Sequence, residues 1–253
     1  MRENHRLRVL VIGGSGRVGA LVLPHLTPVH DVCVLDPRRP EGDVAYIPGD
    51  ALDSKTLASA VQDKDALVYM ALGPHERVNG DEWAMDEAVR GCFDISVKGV
   101  YLALDAARHA GVKHVVYASS LSVYHALGGG GHGEHRYYVD EDLPADSQRV
   151  YGMTKRFGEE VCRCANREWG MSVNVLRLCL PQPDEQWLAE ARPGEPTIAT
   201  AGSDVARAFL AALTFRAGYQ VFHISGDYEE KLMRLERARA LLGWEPLARP
   251  RTA

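Results

Sequence analysis

The chain has 253 residues, 46% of them hydrophobic and 25% charged, with a formal net charge of -5. It is long enough to bury one full core and too short for two large domains, and these proportions exclude a disordered, collagen-like or coiled-coil chain. An acidic balance with no basic tract beyond Arg38-Arg39 gives no general attraction to nucleic acid or an anionic membrane, and no apolar run reaches the length of a membrane span.

The first brief apolar run, Arg8–Ile12, reads as a strand and is too short for the apolar region of a signal peptide. It opens into Gly13-Gly14-Ser15-Gly16-Arg17-Val18-Gly19. Glycines 14, 16 and 19 satisfy G-x-G-x-x-G, and glycines 13, 16 and 19 satisfy G-x-x-G-x-x-G. Under either spacing a pyrophosphate can approach the main chain. The helix that follows, Arg17–Leu26, offers N–H donors and the positive end of its dipole. Pro24 is expected to kink or shorten that helix. The second strand, Asp31–Leu35, ends at Asp36. A carboxylate there accepts hydrogen bonds from both hydroxyls of an adenosine ribose and repels a 2′-phosphate. NAD is therefore favoured over NADP, with Arg38 and Arg39 leaving NADP open. The bland alternative, a glycine turn that only joins strand to helix, is a minor competitor in this context.

A strand follows at Val44–Ile47, a helix at Ser54–Val61, a strand at Ala66–Met70 and a long, interrupted helix at Trp83–Ala110. The strand His114–Ala118 runs into Ser119-Ser120-Leu121-Ser122-Val123-Tyr124. A serine at a strand's carboxyl end polarises a carbonyl or holds an alcohol; capping of local backbone is the alternative. After a glycine-rich loop, His125–Pro144, the helix Gln148–Trp169 carries Tyr151 and Lys155 on one face. A phenol titrates near 10, so lowering it to about 7 takes about 4 kcal/mol. A neighbouring ammonium and a positive nicotinamide ring are able to supply that. Taken alone, such a pair is more often a solvated surface pair. No metal site is expected: Cys162 and Cys164 point apart on a helix, and His132 and His135 lie in the glycine-rich loop. Five scattered cysteines, odd in number, fit a reducing, cytoplasmic compartment.

The remaining elements are a strand at Val173–Cys179, a loop at Pro181–Gly202, a helix at Ser203–Phe215, a strand at Gln220–Ile224 and a helix at Lys231–Leu242. Regular alternation with near-continuously apolar strands implies an α/β fold, a Rossmann-type doubly wound parallel sheet of about seven strands. Residues 1–180, with the helix and strand near 203–224, are expected to bind the dinucleotide. Residues 181–253 are expected to form a small, interleaved substrate-binding appendage. Both long loops follow strands, where ligands sit in such folds. Arg192 in the second loop has the charge to hold a carboxylate; a solvated surface arginine is the commoner reading.

Gly13–Gly19, Asp36, Gly49-Asp50, Ala118-Ser119-Ser120 with Val123-Tyr124, Tyr151 with Lys155, and Leu241-Leu242-Gly243-Trp244-Glu245-Pro246 together resemble the extended short-chain dehydrogenase/reductases, in their NAD-dependent epimerase/dehydratase branch. The similarity spans almost the whole chain. It implies Tyr151 as general acid/base, Lys155 as the group that lowers its pKa and holds the nicotinamide ribose, and Ser120 as the catalytic serine. The cofactor lining it implies begins with Gly13, Ser15, Gly16, Arg17, Val18 and Gly19. Asp50 would meet the adenine amino group with Ala51 beside it, Met70-Ala71-Leu72 the pyrophosphate and ribose, and Leu180 the nicotinamide. Where the family often has Asn before Gly99, this chain has Ser96, which puts a water relay there in question.

Nucleotide-sugar enzymes of this family carry a long segment after the sixth strand. Here only Asp184–Ser203 separates Pro183 from Asp204-Val205-Ala206-Arg207, which favours a smaller substrate. The short C-terminal part and the Tyr151–Glu159 segment are similar to uronate dehydrogenases, which oxidise a free sugar acid at its anomeric carbon. Leu121 and Ser122 stand where that subfamily places polar substrate contacts. That departure argues against uronate itself and leaves Ser122 a substrate candidate. The expected activity is hydride transfer between an alcohol carbon of a sugar or sugar acid and NAD. An epimerase or dehydratase would use the same residues. A dinucleotide-binding sensor without chemistry is disfavoured by Ser120, Tyr151 and Lys155. The family often dimerises through the two long helices, so a homodimer is implied, with packing inside one chain as the alternative.

Overall fold

Seven short runs of Val, Ile, Leu and Tyr, nearly free of polar residues, need cover on both faces. In the computed structural model, which describes residues 6–73, 86–124 and 140–251, they form one parallel sheet. Its strands are β1 (Arg8–Ile12), β2 (Asp31–Asp36), β3 (Ala45–Pro48), β4 (Ala66–Tyr69), β5 (His114–Ser120), β6 (Ser172–Leu178) and β9 (Tyr219–Ile224). A separate pair joins β7 (Pro181–Gln182) to β8 (Thr200–Ala201). The order β3-β2-β1-β4-β5-β6-β9 reverses direction between β1 and β4. Ligands bind beyond the carboxyl ends of the strands at such a switch point.

Seven α-helices are described: α1 (Arg17–Leu26), α2 (Ser54–Ala60), α3 (Asp86–Phe93), α4 (Val100–His109), α5 (Val150–Trp169), α6 (Asp184–Glu190) and α7 (Gly202–Thr214). Alternate side chains of each strand point to opposite faces. Val9, Val11, Val34 and Val116 meet α1 and α7 on one face. Leu10, Leu35, Leu67 and Tyr117 meet α2, α4 and α5 on the other. A third, small core joins Leu121, Val123 and Tyr124 to Cys179 and Met233. Asp204, in the first turn of α7, is buried. Its carboxylate accepts the backbone N–H groups of Leu247 and Ala248, and its carbonyl accepts the Trp244 indole N–H at 2.9 Å.

The strands stand within two residues of their expected bounds, and three other expectations are corrected. Helix α1 is not shortened by Pro24, because Thr27 N still donates to Leu23 O at 3.0 Å and closes the ladder beyond it. The loop expected at 181–202 holds β7, α6 and β8. The helix expected from Lys231 begins only at 236. The Asp227 carboxylate takes the N–H groups of Lys231, Leu232 and Met233 and holds that stretch in an irregular turn. The interruption in the long helix is a π-helical segment, Asp94–Gly99, between α3 and α4. Residues 83–85 of that helix and 125–139 of the glycine-rich loop, with His132 and His135, lie outside the described residues.

Candidate active site

The turn after β1 is built on close approach. Gly13 has φ +86°, and a Cβ there would lie 2.3 Å from the Ala71 backbone. A Cβ on Gly19 would lie 1.9 Å from the Gly14 carbonyl oxygen. Gly16 stands at the N-cap with no side chain to cap the first turn of Arg17, Val18 and Gly19, so those N–H groups and the dipole end are left for an anion. Asp36 is buried at the end of β2. One of its oxygens accepts Ser15 N at 3.1 Å and the other Arg38 N at 2.9 Å, which fixes the carboxylate against the turn. Ser15 Oγ donates to Arg38 O, and Arg39 lies over the Tyr46 ring.

Asp50 and Ala51 follow β3, where the Asp50 carboxylate accepts Leu52 N at 2.9 Å. Met70, Ala71 and Leu72 follow β4. Leu72 is 41% exposed, and Leu180, beyond β6, is 62% exposed. Covering such a side chain is worth about 1.5–3 kcal/mol. Leu180 also holds φ +39°, unusual for a branched residue. Thr200 keeps it there: its Oγ donates to Cys179 O at 2.7 Å and its N to Leu180 O at 3.2 Å. A dinucleotide fits this edge: an uncapped helix N-terminus for its phosphates, a carboxylate for a ribose, and two bare leucines for its flat rings.

Two further glycines on α5 bring the chemistry to that edge. A Cβ on Gly152 would meet Ser122 O at 2.0 Å, and one on Gly158 would meet the Tyr117 hydroxyl at 2.2 Å. Helix α5 therefore lies directly on the rim of β5. Tyr151, next to Gly152, stands at the level of Ser122, whose N–H donates to Ser120 Oγ at 3.1 Å. Lys155, one turn on, is buried, and its Nζ donates to Ala118 O at 2.8 Å. Burial pushes the Lys155 ammonium down to about 8, against the opposing pull of Cys92, Glu159 and Cys162. Ser96 lies in the π-helical segment, with its Oγ buried and without a hydrogen-bond partner. Such segments recur at functional sites.

Arg192 is not brought to this group. It donates to Ala189 O and Ala191 O at the end of α6. The cavity of about 240 Å³ that it lines with Trp187 includes none of Ser120, Tyr151 and Lys155. Sequence reasoning also missed a buried ion pair behind the serines, Glu159 with Arg177. The signal was present: Glu159 continues the four-residue spacing of Tyr151 and Lys155, and Arg177 is the one charged residue in β6. Among the described residues no three His, Cys, Asp or Glu side chains converge as a metal site.

A sequence model of the NAD dependent epimerase/dehydratase family matches residues 9–181. The chain is 28% identical over 257 residues to the NAD-dependent glucose-6-phosphate dehydrogenase of Haloferax volcanii, covering 94% of this chain and 92% of that one. It is 27% identical to that organism's L-arabinose 1-dehydrogenase (NAD(P)(+)), over 68% of this chain and 66% of the relative. In fold it is similar to the crystal structure of uronate dehydrogenase from Agrobacterium tumefaciens, with a TM-score of 0.76 and 20% identity, over 96% of this chain and 85% of that one.

Proposed function

The chain belongs to the NAD dependent epimerase/dehydratase family, and from that premise we propose that it oxidises an alcohol carbon of a small, free sugar or sugar acid with NAD. What supports this reading is that α5, which carries Tyr151 and Lys155, lies against the carboxyl end of β5: a Cβ on Gly152 would meet Ser122 O, Ser122 N donates to Ser120 Oγ, and Lys155 Nζ donates to Ala118 O. The Ser120 hydroxyl steadies the substrate oxygen, Tyr151 takes its proton, and the Lys155 ammonium favours the phenolate. When bound, NAD supplies the hydride acceptor. Asp36 takes the adenosine ribose, the turn from Gly13 to Gly19 the pyrophosphate, Asp50 and Ala51 the adenine, and Met70, Ala71, Leu72 and Leu180 the remaining faces. Ser122 meets the substrate. Residues 181–253, apart from the helix and strand near 203–224, supply a small substrate part, and the short stretch between Pro183 and Asp204 favours a small substrate. The five cysteines are free, which supports a reducing, cytoplasmic setting.

The test is a panel of pentoses, hexoses, uronates and one nucleotide sugar with excess NAD. NADH from a free sugar is the expected result. An isomerised sugar without NADH would make the chain an epimerase, and NADH only from the nucleotide sugar would overturn the small substrate.

Because Lys155 must be charged to act, kcat/KM is expected to fall by up to tenfold per pH unit above pH 8. A profile flat to pH 10 would argue against the assignment. The effect on stability has the opposite sign. A lysine whose folded pKa lies below its unfolded value of about 10.4 opposes folding at neutral pH, and that penalty lifts as pH rises from 8.

The same reading includes a homodimer through α4 and α5. Tyr101 on α4 is 50% exposed and meets Trp169 edge-on, and Phe157 on α5 is 37% exposed with its ring tilted against that of Phe93. Tyr101→Glu with Phe157→Glu is expected to halve the mass measured by light scattering. A wild-type chain already monomeric at micromolar concentration would remove the dimer.

A further inference from the structure

Tyr151, Lys155 and Glu159 follow one another at intervals of four along α5 and so share one face of the helix. Glu159 and Arg177 are buried, with side chains 4% and 6% exposed. Glu159 Oε1 accepts Ser119 Oγ at 2.6 Å and Arg177 Nε at 2.9 Å, and Oε2 accepts Arg177 Nη2 at 2.7 Å. Ser119 on β5 and Arg177 on β6 are directly opposite each other in the sheet. Arg177 Nη1 donates to the Tyr124 hydroxyl, which meets His223 Nε2 at 3.1 Å. One carboxylate thus ties α5 to two adjacent strands, one residue before Ser120.

We propose that Glu159 is a positioning residue: held by Ser119 and Arg177, it sets α5 along β5 and β6 so that Lys155 reaches the nicotinamide ribose and Tyr151 reaches the substrate oxygen beside Ser120. The inference rests on the roles given above to Tyr151 and Lys155. Apolar contacts tolerate a helix sliding along a sheet, whereas a two-pronged Arg–carboxylate pair has fixed geometry. One residue of slip moves a helix by about 1.5 Å, and about 1 Å of misplacement at a reacting centre costs about a hundredfold in rate. Gly152 and Gly158 bring α5 close, and the clamp decides where along the strands it stops. Lys155 is faced by Cys92 from α3, by Glu159 and Cys162 from α5 and by the Tyr117 ring from β5. Of these groups Glu159 alone carries a carboxyl group.

The test avoids stranding a buried guanidinium by changing both partners, Glu159→Gln with Arg177→Met. The chain has six lysines, so the Lys155 Cε signal is readable by NMR after selective 13C-lysine labelling and assignment with Lys155→Arg. The expected result is a Lys155 titration midpoint lower by at least half a pH unit and a Kd for NAD raised tenfold or more, with the helical circular dichroism retained. A merely structural pair would lower Tm and leave both readouts unmoved, which would overturn the proposal. Should the paired variant not fold, Ser119→Ala deletes one hydroxyl and keeps both charges. A Kd for NAD raised about threefold is then expected, and an unchanged Kd overturns the proposal. Tyr151→Phe separates the two readings. Full activity in that variant removes the base while the titration and Kd still judge the clamp. An inert Tyr151→Phe beside unmoved readouts rejects the clamp alone.

Discussion

Tyr151→Phe is expected to lower kcat by about a thousandfold, within the range for loss of a general acid or base, and to leave KM for NAD within about threefold. The ring stays, so the start of α5 keeps its packing against the Ser120–Ser122 turn. Stability should then move by no more than about 0.5 kcal/mol. What is lost is the group to which the proposal gives the substrate proton. Lys155 cannot replace it, because it acts as an ammonium, which donates hydrogen bonds and has no lone pair to take a proton. Stopped-flow measurement of NADH formation gives the rate, and thermal melting checks the fold. A variant with more than a tenth of the wild-type rate would show that the base lies elsewhere.

The second large effect falls on the turn after β1. In Gly19→Ala the new methyl would sit 1.9 Å from the Gly14 carbonyl oxygen, which is backbone and cannot rotate aside. Helix α1 must then lift from the turn. Such overpacking costs about 1–3 kcal/mol, or a Tm lower by about 5 °C in a chain of this size. Titration calorimetry should also show at least a tenfold loss of NAD affinity. Gly16→Ala provides the contrast, since its methyl would meet only Gly13 O, at an ordinary 3.5 Å. There the Tm should hold while NAD affinity falls, because the methyl occupies the path of a phosphate. Equal loss of stability in the two variants would mean that these glycines serve packing alone.

The sheet was legible because its strands are apolar runs with polar punctuation, and burial on both faces leaves them no other reading. The rest of the site needed the fold. Glu159 sits on an amphipathic helix, and the spacing that puts it on the face of Tyr151 and Lys155 does not name what it meets there. Its partner stands 18 residues away on β6. Gly152 and Gly158 look like defects in a helix until the Ser122 carbonyl and the Tyr117 hydroxyl are found beneath them. The stretch after Lys231 has helical periodicity, yet one carboxylate upstream, Asp227, collects three of its N–H groups. In each case a long-range or side-chain-to-backbone contact overrides a local pattern.

Asp204 makes one layer of the fold depend on residues far along the chain. It opens α7, the helix that packs on α1, but the N–H groups that satisfy its carboxylate come 43 and 44 residues later. Until residues 244–248 dock, that carboxylate has only Arg207, one turn along its own helix, for company. The last described stretch of the chain thus supplies what a buried side chain in the α1–α7 layer needs, although it contributes no strand.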